Sequence, residues 1–155
     1  MSLLSESLRQ FLRTAEFLYV ATVYDGGKPY VAPKFLISVE CDTLFLADFV
    51  LGKTWDNLSR QPVLSLAVLN YDTLEGFQLN GTARLLRKGK EYDRLIGLLE
   101  QREISLTADR VLASLEANRK SKMVEIAFPK DFGIIRADIG DILTIGCGGK
   151  LESRR

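Results

Sequence analysis

The chain has 155 residues, and its 21 lysines and arginines nearly balance its 20 aspartates and glutamates, for a formal net charge of +1. This length suits one ordinary domain, and the charge balance gives no basic footprint for nucleic acid or for a membrane surface. Histidine is absent, which excludes Ser-His and Cys-His nucleophilic catalysis, histidine-ligated haem and the usual imidazole-bearing zinc sites. If the protein is an enzyme, we expect a bound cofactor to carry the reactivity.

Two further features of the sequence predict the cellular compartment of the protein and the state of its cysteines. No apolar run is long enough to span a bilayer, and residues 1–6 lack the basic start and apolar core of a signal peptide, so we expect a cytoplasmic protein. Cys41 and Cys147 form no CxxC pair. We expect them to be buried or partly buried free thiols, with no disulfide framework and no metal site.

The first third of the chain predicts an amphipathic helix and then a three-stranded meander. The helix is predicted over residues 5–14 by apolar residues at helical spacing: Leu4, Leu8, Phe11 and Leu12. Strand-forming runs follow at residues 17–23, 28–39 and 43–47, with turns at 25–27 and 41–42. Pro29 and Pro33 lack an N–H group, which indicates an edge or a bulge in the second of these strands.

The middle of the chain predicts one short helix and two strands. Thr54 is expected to cap a helix that ends before Pro62. A fourth strand is predicted over residues 63–69 and a fifth over 77–86, where side chains alternate between an apolar and a polar face.

The last third predicts two helices, over residues 92–100 and 108–118, with Thr107 capping the second. Val124 begins a sixth strand that continues past Pro129 to Ile135, and residues 141–145 form a last short strand. The glycine-rich end from Gly146 is expected to fray. Residues 1–155 are interpreted as a single domain. Six or seven short strands with irregularly placed helices indicate a mainly β (α+β) fold, a barrel with peripheral helices.

Residues 47–58 are the segment most suggestive of chemistry, since a strand ends there, a loop containing Gly52 follows and a helix begins. The first turn of a helix has unpaired N–H groups and a partial positive charge, to which Lys53 adds a full charge and Thr54 a hydroxyl donor. Asn57, one turn later, could brace the loop. The segment is not a P-loop, because that motif needs glycine at Ala47. A capped surface helix with a solvated lysine is the alternative.

Three other polar residues leave two interpretations open. Lys34, flanked by Pro33 and Phe35, either faces solvent by simple alternation or points into a polar site. Gln78 either belongs to a polar outer face or bonds the edge of a heteroaromatic ring. Asp48 either binds a ligand or solvates its loop.

The order of these motifs resembles the pyridoxamine 5'-phosphate oxidase-like FMN-binding split barrels, most closely the small FMN-binding proteins of that superfamily. The resemblance covers about the first 90 residues. The segments that carry it are Val20-Ala21-Thr22-Val23, Val31-Ala32-Pro33-Lys34-Phe35, Thr43-Leu44-Phe45-Leu46-Ala47-Asp48, Gly52-Lys53-Thr54-Trp55-Asp56-Asn57-Leu58 and Gly76-Phe77-Gln78-Leu79-Asn80-Gly81-Thr82-Ala83.

The resemblance implies a six-stranded antiparallel split barrel with Greek-key character, a homodimer, and FMN at the subunit interface. It places Lys53 and Thr54 at the FMN phosphate, with Asn57 supporting the phosphate loop. Pro33, Lys34 and Phe35 are implied beside the isoalloxazine ring, mostly through backbone contacts. Ala47 and Asp48 are implied near the flavin, and Gln78 at the edge of the ring.

Three functions follow from the resemblance. The first is an FMN-dependent oxidoreductase or electron-transfer protein with a small-molecule or protein electron partner, in which Lys34 would stabilise the anionic reduced flavin. The second is a non-enzymatic protein that binds or stores a flavin or deazaflavin, and the third is a structural dimer. The family enzyme's basic residues for a pyridoxal phosphate substrate are not found, which argues against pyridoxamine phosphate oxidation. The missing histidine argues against haem degradation.

Overall fold

The computed structural model describes residues 2–117, 128–146, 148 and 151–155. The helices are α1 (Glu6–Thr14), α2 (Lys53–Arg60) and α3 (Lys90–Glu116). The strands are β1 (Phe17–Tyr24), β2 (Lys28–Glu40), β3 (Thr43–Asp48), β4 (Val63–Asn70), β5 (Glu75–Leu86), β6 (Gly133–Ile145) and β7 (Leu151–Arg154).

Six of the strands close into an antiparallel barrel. The sheet runs β3-β2-β1-β4-β5-β6-β7, and pairing of β3 with β6 closes it. Strands β1 to β3 form the predicted meander, and the chain then crosses so that β4 lies beside β1 and β6 beside β3. The predicted mainly β, six-stranded barrel with Greek-key character and peripheral helices is therefore confirmed, with β7 as an additional strand.

Alternation along the strands divides the apolar residues between two clusters. Leu18, Val20, Leu36, Leu46 and Leu79 belong to the interior cluster, which α1 and α2 close with leucines of their own. The residues that alternate with them in β2 and β3 point outward and form a second cluster with Leu95 and Leu99 of α3. Both faces of β3 are thus buried, which is why its sequence is almost continuously apolar.

Strand β2 has two halves with different neighbours. Its first half pairs with β1 alone, and β3 joins only from Phe35 onward. Pro29 and Pro33 lie in that first half, where one side of the strand pairs with none of the described strands, and the register shifts between Leu36 and Ser38. The prolines' prediction of an edge or a bulge is confirmed, since a missing N–H costs nothing on an open edge.

Two helix predictions are wrong. The N-cap of α2 is Gly52, with no side-chain cap bond, and Thr54 lies inside the first turn. The two late helices are one helix, α3, and Thr107 lies within it. No proline and mostly good helix formers occur between residues 98 and 116, so nothing breaks the backbone ladder there.

The end of the chain also differs from expectation. Strand β6 begins at Gly133 and continues through Ile145. An irregularity at Gly140, opposite Asn80 and Gly81, shifts its register without ending the strand. The start of the predicted sixth strand, Val124 and Ile126, lies outside the described residues. Residues Leu151–Arg154 do not fray but pair with β6 as β7. Cys41 is exposed at a positive φ of 51° in the β2–β3 turn, contrary to expectation, and Cys147 is not described.

Candidate functional site

Five polar side chains of the described residues are buried, and they lie around α2 and the strands beneath it. They are Thr22, Lys34, Asp48, Thr54 and Asn57. Four of them are residues that the resemblance assigns to the cofactor. Buried polar groups are costly unless partnered, so their partners show what this region can do.

Lys34 and Asp48 form a buried ion pair. Lys34 Nζ donates to Asp48 Oδ1 at 2.7 Å, with the lysine side chain 9% exposed and the aspartate 0%. The Val50 N–H also donates to Oδ1, at 3.3 Å. Asp48 Oδ2 is buried and has no hydrogen-bond partner among the described residues. Lys34 therefore points into the protein and not into solvent, and Asp48 bonds both this lysine and the backbone of its own loop.

The N-terminus of α2 presents the features of an anion site. Gly52 leaves the first-turn N–H groups without a side-chain cap. Lys53 is exposed, and its Nζ lies 3.7 Å from the centroid of the Tyr24 ring. Thr54 Oγ1 is buried and has no hydrogen-bond partner among the described residues. A cation, a hydroxyl without a partner in the described structure and N–H groups without a side-chain cap thus occupy one turn of helix.

Asn57 fastens α2 to the barrel. Its Nδ2 donates to Thr22 Oγ1 of β1 at 2.9 Å, and both side chains are buried. Asn57 was predicted to brace the phosphate loop, but Thr22 was not singled out. The available signal was its inward position in β1, where a polar residue follows Leu18 and Val20 at a spacing of two.

A second anchor of α2 is the contact between Trp55 and Gly133. A Cβ atom at Gly133 would overlap the Trp55 ring and lie 3.0 Å from Leu51 Cδ2. Glycine at the start of β6 therefore lets the indole lie on the backbone. Leu51 itself has a positive φ of 50°, so the loop before α2 turns through a conformation unusual for leucine.

An open groove lies on the outer face of β2, β1, β4 and β5. Pro33 pairs with Tyr19, Tyr19 with Ala67, and Ala67 with Gln78, so these four residues form a row across the sheet. The groove has a volume of ≈ 980 Å³. Aromatic and small residues line it, among them Phe17, Tyr19, Pro33, Phe77 and Gln78. It can take a flat aromatic ligand with a polar edge.

The amide of Gln78 is held in place by a polar network. Gln78 Nε2 donates to Asn80 Oδ1 at 3.0 Å, and Ser65 Oγ donates to the same oxygen at 2.7 Å. Asn80 Nδ2 donates in turn to Asp141 Oδ2 at 2.9 Å. This network uses the amide nitrogen of Gln78, a residue that lines the groove, and leaves its carbonyl oxygen available as an acceptor.

The predicted site residues therefore fall into three groups. Lys34, Asp48, Thr54 and Asn57 are buried around α2, and Lys53 lies exposed at its start. Pro33 and Gln78 line the groove. Phe35 and Ala47 are buried in the outer cluster under α3, where Phe35 packs edge-on against Phe17.

Several titratable groups with shifted pKa values lie on the side of the barrel under α3 and near the end of α1. The hydrogen bond from Arg94 lowers the pKa of Glu40. Burial would raise the pKa of Asp138, but hydrogen bonds from Thr43 and Arg136 outweigh it and lower that pKa. Burial lowers the pKa of Arg102, which donates to the carbonyls of Arg13 and Ala15 at 3.0 and 2.7 Å and so fixes a wall of the groove.

The described part of the chain offers neither a cluster of metal ligands nor a membrane-spanning helix. Over residues 2–117, 128–146, 148 and 151–155, no three histidine, cysteine, aspartate or glutamate residues converge as metal ligands. Among the helices described, none combines the length and the apolar composition needed to cross a membrane.

The barrel and the helix that closes it define the split-barrel class, and comparison with known proteins identifies the family. The family model described as pyridoxamine 5'-phosphate oxidase matches residues 4–129. The chain therefore belongs to this family, as the motif order suggested. No match is found among curated proteins.

Solved structures share the fold at low sequence identity. HupZ of Group A Streptococcus has a TM-score of 0.66 and 18% identity, over 94% of this chain and 97% of that one. A Clostridium acetobutylicum protein related to general stress protein 26 has 0.64 and 11%, over 96% and 92%. A pyridoxamine 5'-phosphate oxidase-related, FMN binding protein of Nostoc punctiforme has 0.55 and 15%, over 94% and 90%. At these identities the likeness shows the fold alone.

Proposed function

We propose that this protein is an FMN-binding flavoprotein. The observation that carries the proposal is the first turn of α2, where Lys53 and the Thr54 hydroxyl, which has no partner in the described structure, stand beside N–H groups without a side-chain cap. A phosphate monoester needs this set of donors: a full positive charge, hydroxyl and N–H groups, and the positive end of a helix. The residues present therefore fit the phosphate of FMN. The family membership and the FMN-binding relative in Nostoc support the same cofactor.

The groove fits the other end of the cofactor. Its aromatic and proline surfaces suit the faces of an isoalloxazine ring, and the fixed Gln78 amide suits the polar edge of the ring. Between α2 and the groove, the outer faces of β1 and β2 expose Tyr19, Val23 and Val31. These side chains form an apolar strip that joins the two ends. A deazaflavin phosphate would satisfy the same contacts and is the alternative cofactor.

The exposed strip also supports a homodimer. Val63 and Leu69 of β4 extend it, so that apolar side chains 37–58% exposed cover neighbouring strands. A continuous apolar patch on a protein surface marks an interaction site. We propose a second copy of this chain as its occupant, with FMN held between the two copies.

The bound flavin would accept and pass on electrons, and this chain's residues would bind and orient it. We favour an oxidoreductase or electron-transfer role in the cytoplasm, with a small molecule or a protein as the electron partner. Storage of the flavin without turnover is the alternative function. Rapid mixing with NADH or NADPH separates the two, because an oxidoreductase using either donor bleaches the flavin absorbance at a saturable rate and a storage protein does not.

The first experiment is an absorption spectrum of the purified protein before and after addition of FMN, followed by titration. We expect a retained yellow flavin spectrum. Lys53→Ala is expected to weaken FMN binding by about 1.5–3 kcal/mol, because it removes a charge-assisted contact. Lys88→Ala, an exposed lysine between β5 and α3, is the matched control and should leave the affinity unchanged.

Two results would contradict the proposal. A protein that retains neither FMN nor a deazaflavin phosphate would leave the fold without this function and favour the structural dimer. Equal affinities of Lys53→Ala and Lys88→Ala would show that the phosphate does not lie at α2.

A further inference from the structure

The buried pair of Lys34 and Asp48 presents an electrostatic problem for an anion site. Asp48 is the last residue of β3 and lies four residues before Gly52, so its carboxylate stands at the start of the loop that leads into the N-terminus of α2. A chain of four residues spans at most about 14 Å. A fully buried carboxylate at such a range is screened far less than one in water, and it repels any ligand phosphate.

The bonding of the Asp48 carboxylate identifies Lys34 as the group that offsets this repulsion. Oδ1 accepts from Lys34 Nζ and from the Val50 N–H, whereas Oδ2 has no partner among the described residues. No other cation bonds this carboxylate in the described part of the chain. The ammonium of Lys34 therefore supplies the opposite charge that Asp48 needs.

Lys34 faces the barrel interior and not the groove. Its neighbour Pro33 lines the groove, and Phe35 belongs to the cluster under α3, so alternation turns Lys34 inward. Its side chain is nearly buried and its ammonium is engaged 2.7 Å from the carboxylate. Direct contact of the ammonium with a ring in the groove is inconsistent with this direction.

We infer that Lys34 is a charge-balancing residue for the anion site at α2: it neutralises Asp48 so that the helix N-terminus accepts a phosphate dianion. The inference rests on the proposed binding of FMN and assigns Lys34 a role through Asp48. In a purely structural ion pair, the loss of either charge has a similar effect on FMN binding, whereas the proposed role predicts unequal effects. Loss of Lys34 leaves a buried negative charge, whereas loss of the Asp48 charge removes the repulsion.

The test compares FMN with riboflavin, which lacks the phosphate, on four proteins: the unmodified chain, Lys34→Met, Asp48→Asn and the double variant. We expect Lys34→Met to weaken FMN by about tenfold, as an unbalanced charge in a protein interior does. Riboflavin affinity should change less than about twofold. Asp48→Asn should bind FMN at least as tightly as the unmodified chain, and the double variant should return to within about threefold of it.

Folding is checked by thermal melting of each protein, and the double variant keeps the test decisive if Lys34→Met does not fold. Retention of FMN by the double variant then supports charge balance, because neither charge is needed. Equal FMN losses in Asp48→Asn and the double variant would overturn it in favour of a structural pair.

Other outcomes are equally decisive. Equal weakening of FMN and riboflavin by Lys34→Met would overturn the inference, as would an unchanged FMN affinity. A lowered flavin potential at unchanged affinity would place Lys34 at the ring instead. Failure of the unmodified chain to bind FMN would overturn the proposed function and this inference together, whereas FMN binding with a symmetric response of the single variants overturns the inference alone.

Discussion

Two glycines that face each other across a bulge have opposite tolerances for a side chain. A Cβ at Gly81 of β5 would overlap the carbonyl oxygen of Asp138 and lie 3.1 Å from Ile139 Cα. A Cβ at Gly140, the irregular residue of β6, would meet nothing within 4 Å. Backbone atoms cannot move aside as a flexible side chain does. A side chain at Gly81 is therefore excluded by steric overlap, whereas one at Gly140 is not.

We predict that Gly81→Ala lowers the free energy of unfolding by about 1–3 kcal/mol, as overpacking does. Gly140→Ala should stay within about 0.5 kcal/mol of the unmodified protein. Urea denaturation measures both. Equal losses would show that the bulge does not bring the strands together as described.

The hydrogen bond between Thr22 and Asn57 joins two buried side chains that make no other hydrogen bond within the described structure. We predict that Asn57→Ala costs about 1–3 kcal/mol of unfolding free energy, because it leaves the Thr22 hydroxyl buried and unpaired. The double variant Thr22→Val, Asn57→Ala should lose much less than the sum of the losses in Thr22→Val and Asn57→Ala. Additive losses in chemical denaturation would contradict the pairing.

Helix α1 is positioned by a carboxylate from another part of the chain. Asp42 of the β2–β3 turn accepts the N–H groups of Leu3 and Leu4 at 2.9 and 2.7 Å and the Ser2 hydroxyl at 2.7 Å. Leu4 is completely buried and Ser5 caps the helix, so the turn fixes where α1 begins. Burial would raise the pKa of Asp42, but these hydrogen bonds outweigh it and lower the pKa from its ordinary value of 3.8.

The lowered pKa gives a stability effect with a definite sign. The ionised form contributes stability above pH 3.8, and the contribution is lost as the pH falls through the lower pKa of the folded state. We predict that Asp42→Asn loses about 1–2 kcal/mol at pH 7 and less at pH 3. Asp72→Asn, on an exposed turn, is the control. A deficit that stays constant down to pH 3 would contradict the assignment.

On the scale of the whole barrel, two of the exposed apolar regions among the described residues differ in their surroundings. The strip on β1, β2 and β4 borders the groove, whereas Ile104, 71% exposed on α3, does not line it. We propose self-association for the strip alone. Because the proposed cofactor lies between the copies, assembly and FMN affinity should respond together.

We predict that the protein sediments as a dimer and that Val31→Glu converts it to a monomer with weaker FMN binding. Val31 is 58% exposed in the strip, and a charge there would be buried on association. Ile104→Glu should remain dimeric. Sedimentation equilibrium decides this, and a monomeric unmodified protein, or equal dissociation of both variants, would contradict the proposed interface.

Local pattern was sufficient for most of the fold. Strand alternation, helical spacing and the turn at Gly26 and Gly27 predicted α1 and β1 to β5 within a few residues, because each signal acts over a short stretch of chain. The sequence signals for helix caps and helix ends were less reliable than those for strands and turns. Thr54 and Thr107 resemble caps, yet tertiary packing and uninterrupted helix formers placed both inside helices.

The candidate site, like the fold, was predictable from the sequence only where its parts are close together in the chain. The sequence by itself determined the strand–loop–helix junction with Lys53 and Thr54, since all its parts are neighbours in the chain. Only the tertiary structure decided that Lys34 meets Asp48, that Asn57 meets Thr22 and that Pro33 and Gln78 share a groove. These pairs are 14 to 45 positions apart, and their meeting depends on strand register and on the face to which each side chain turns, which barrel closure sets.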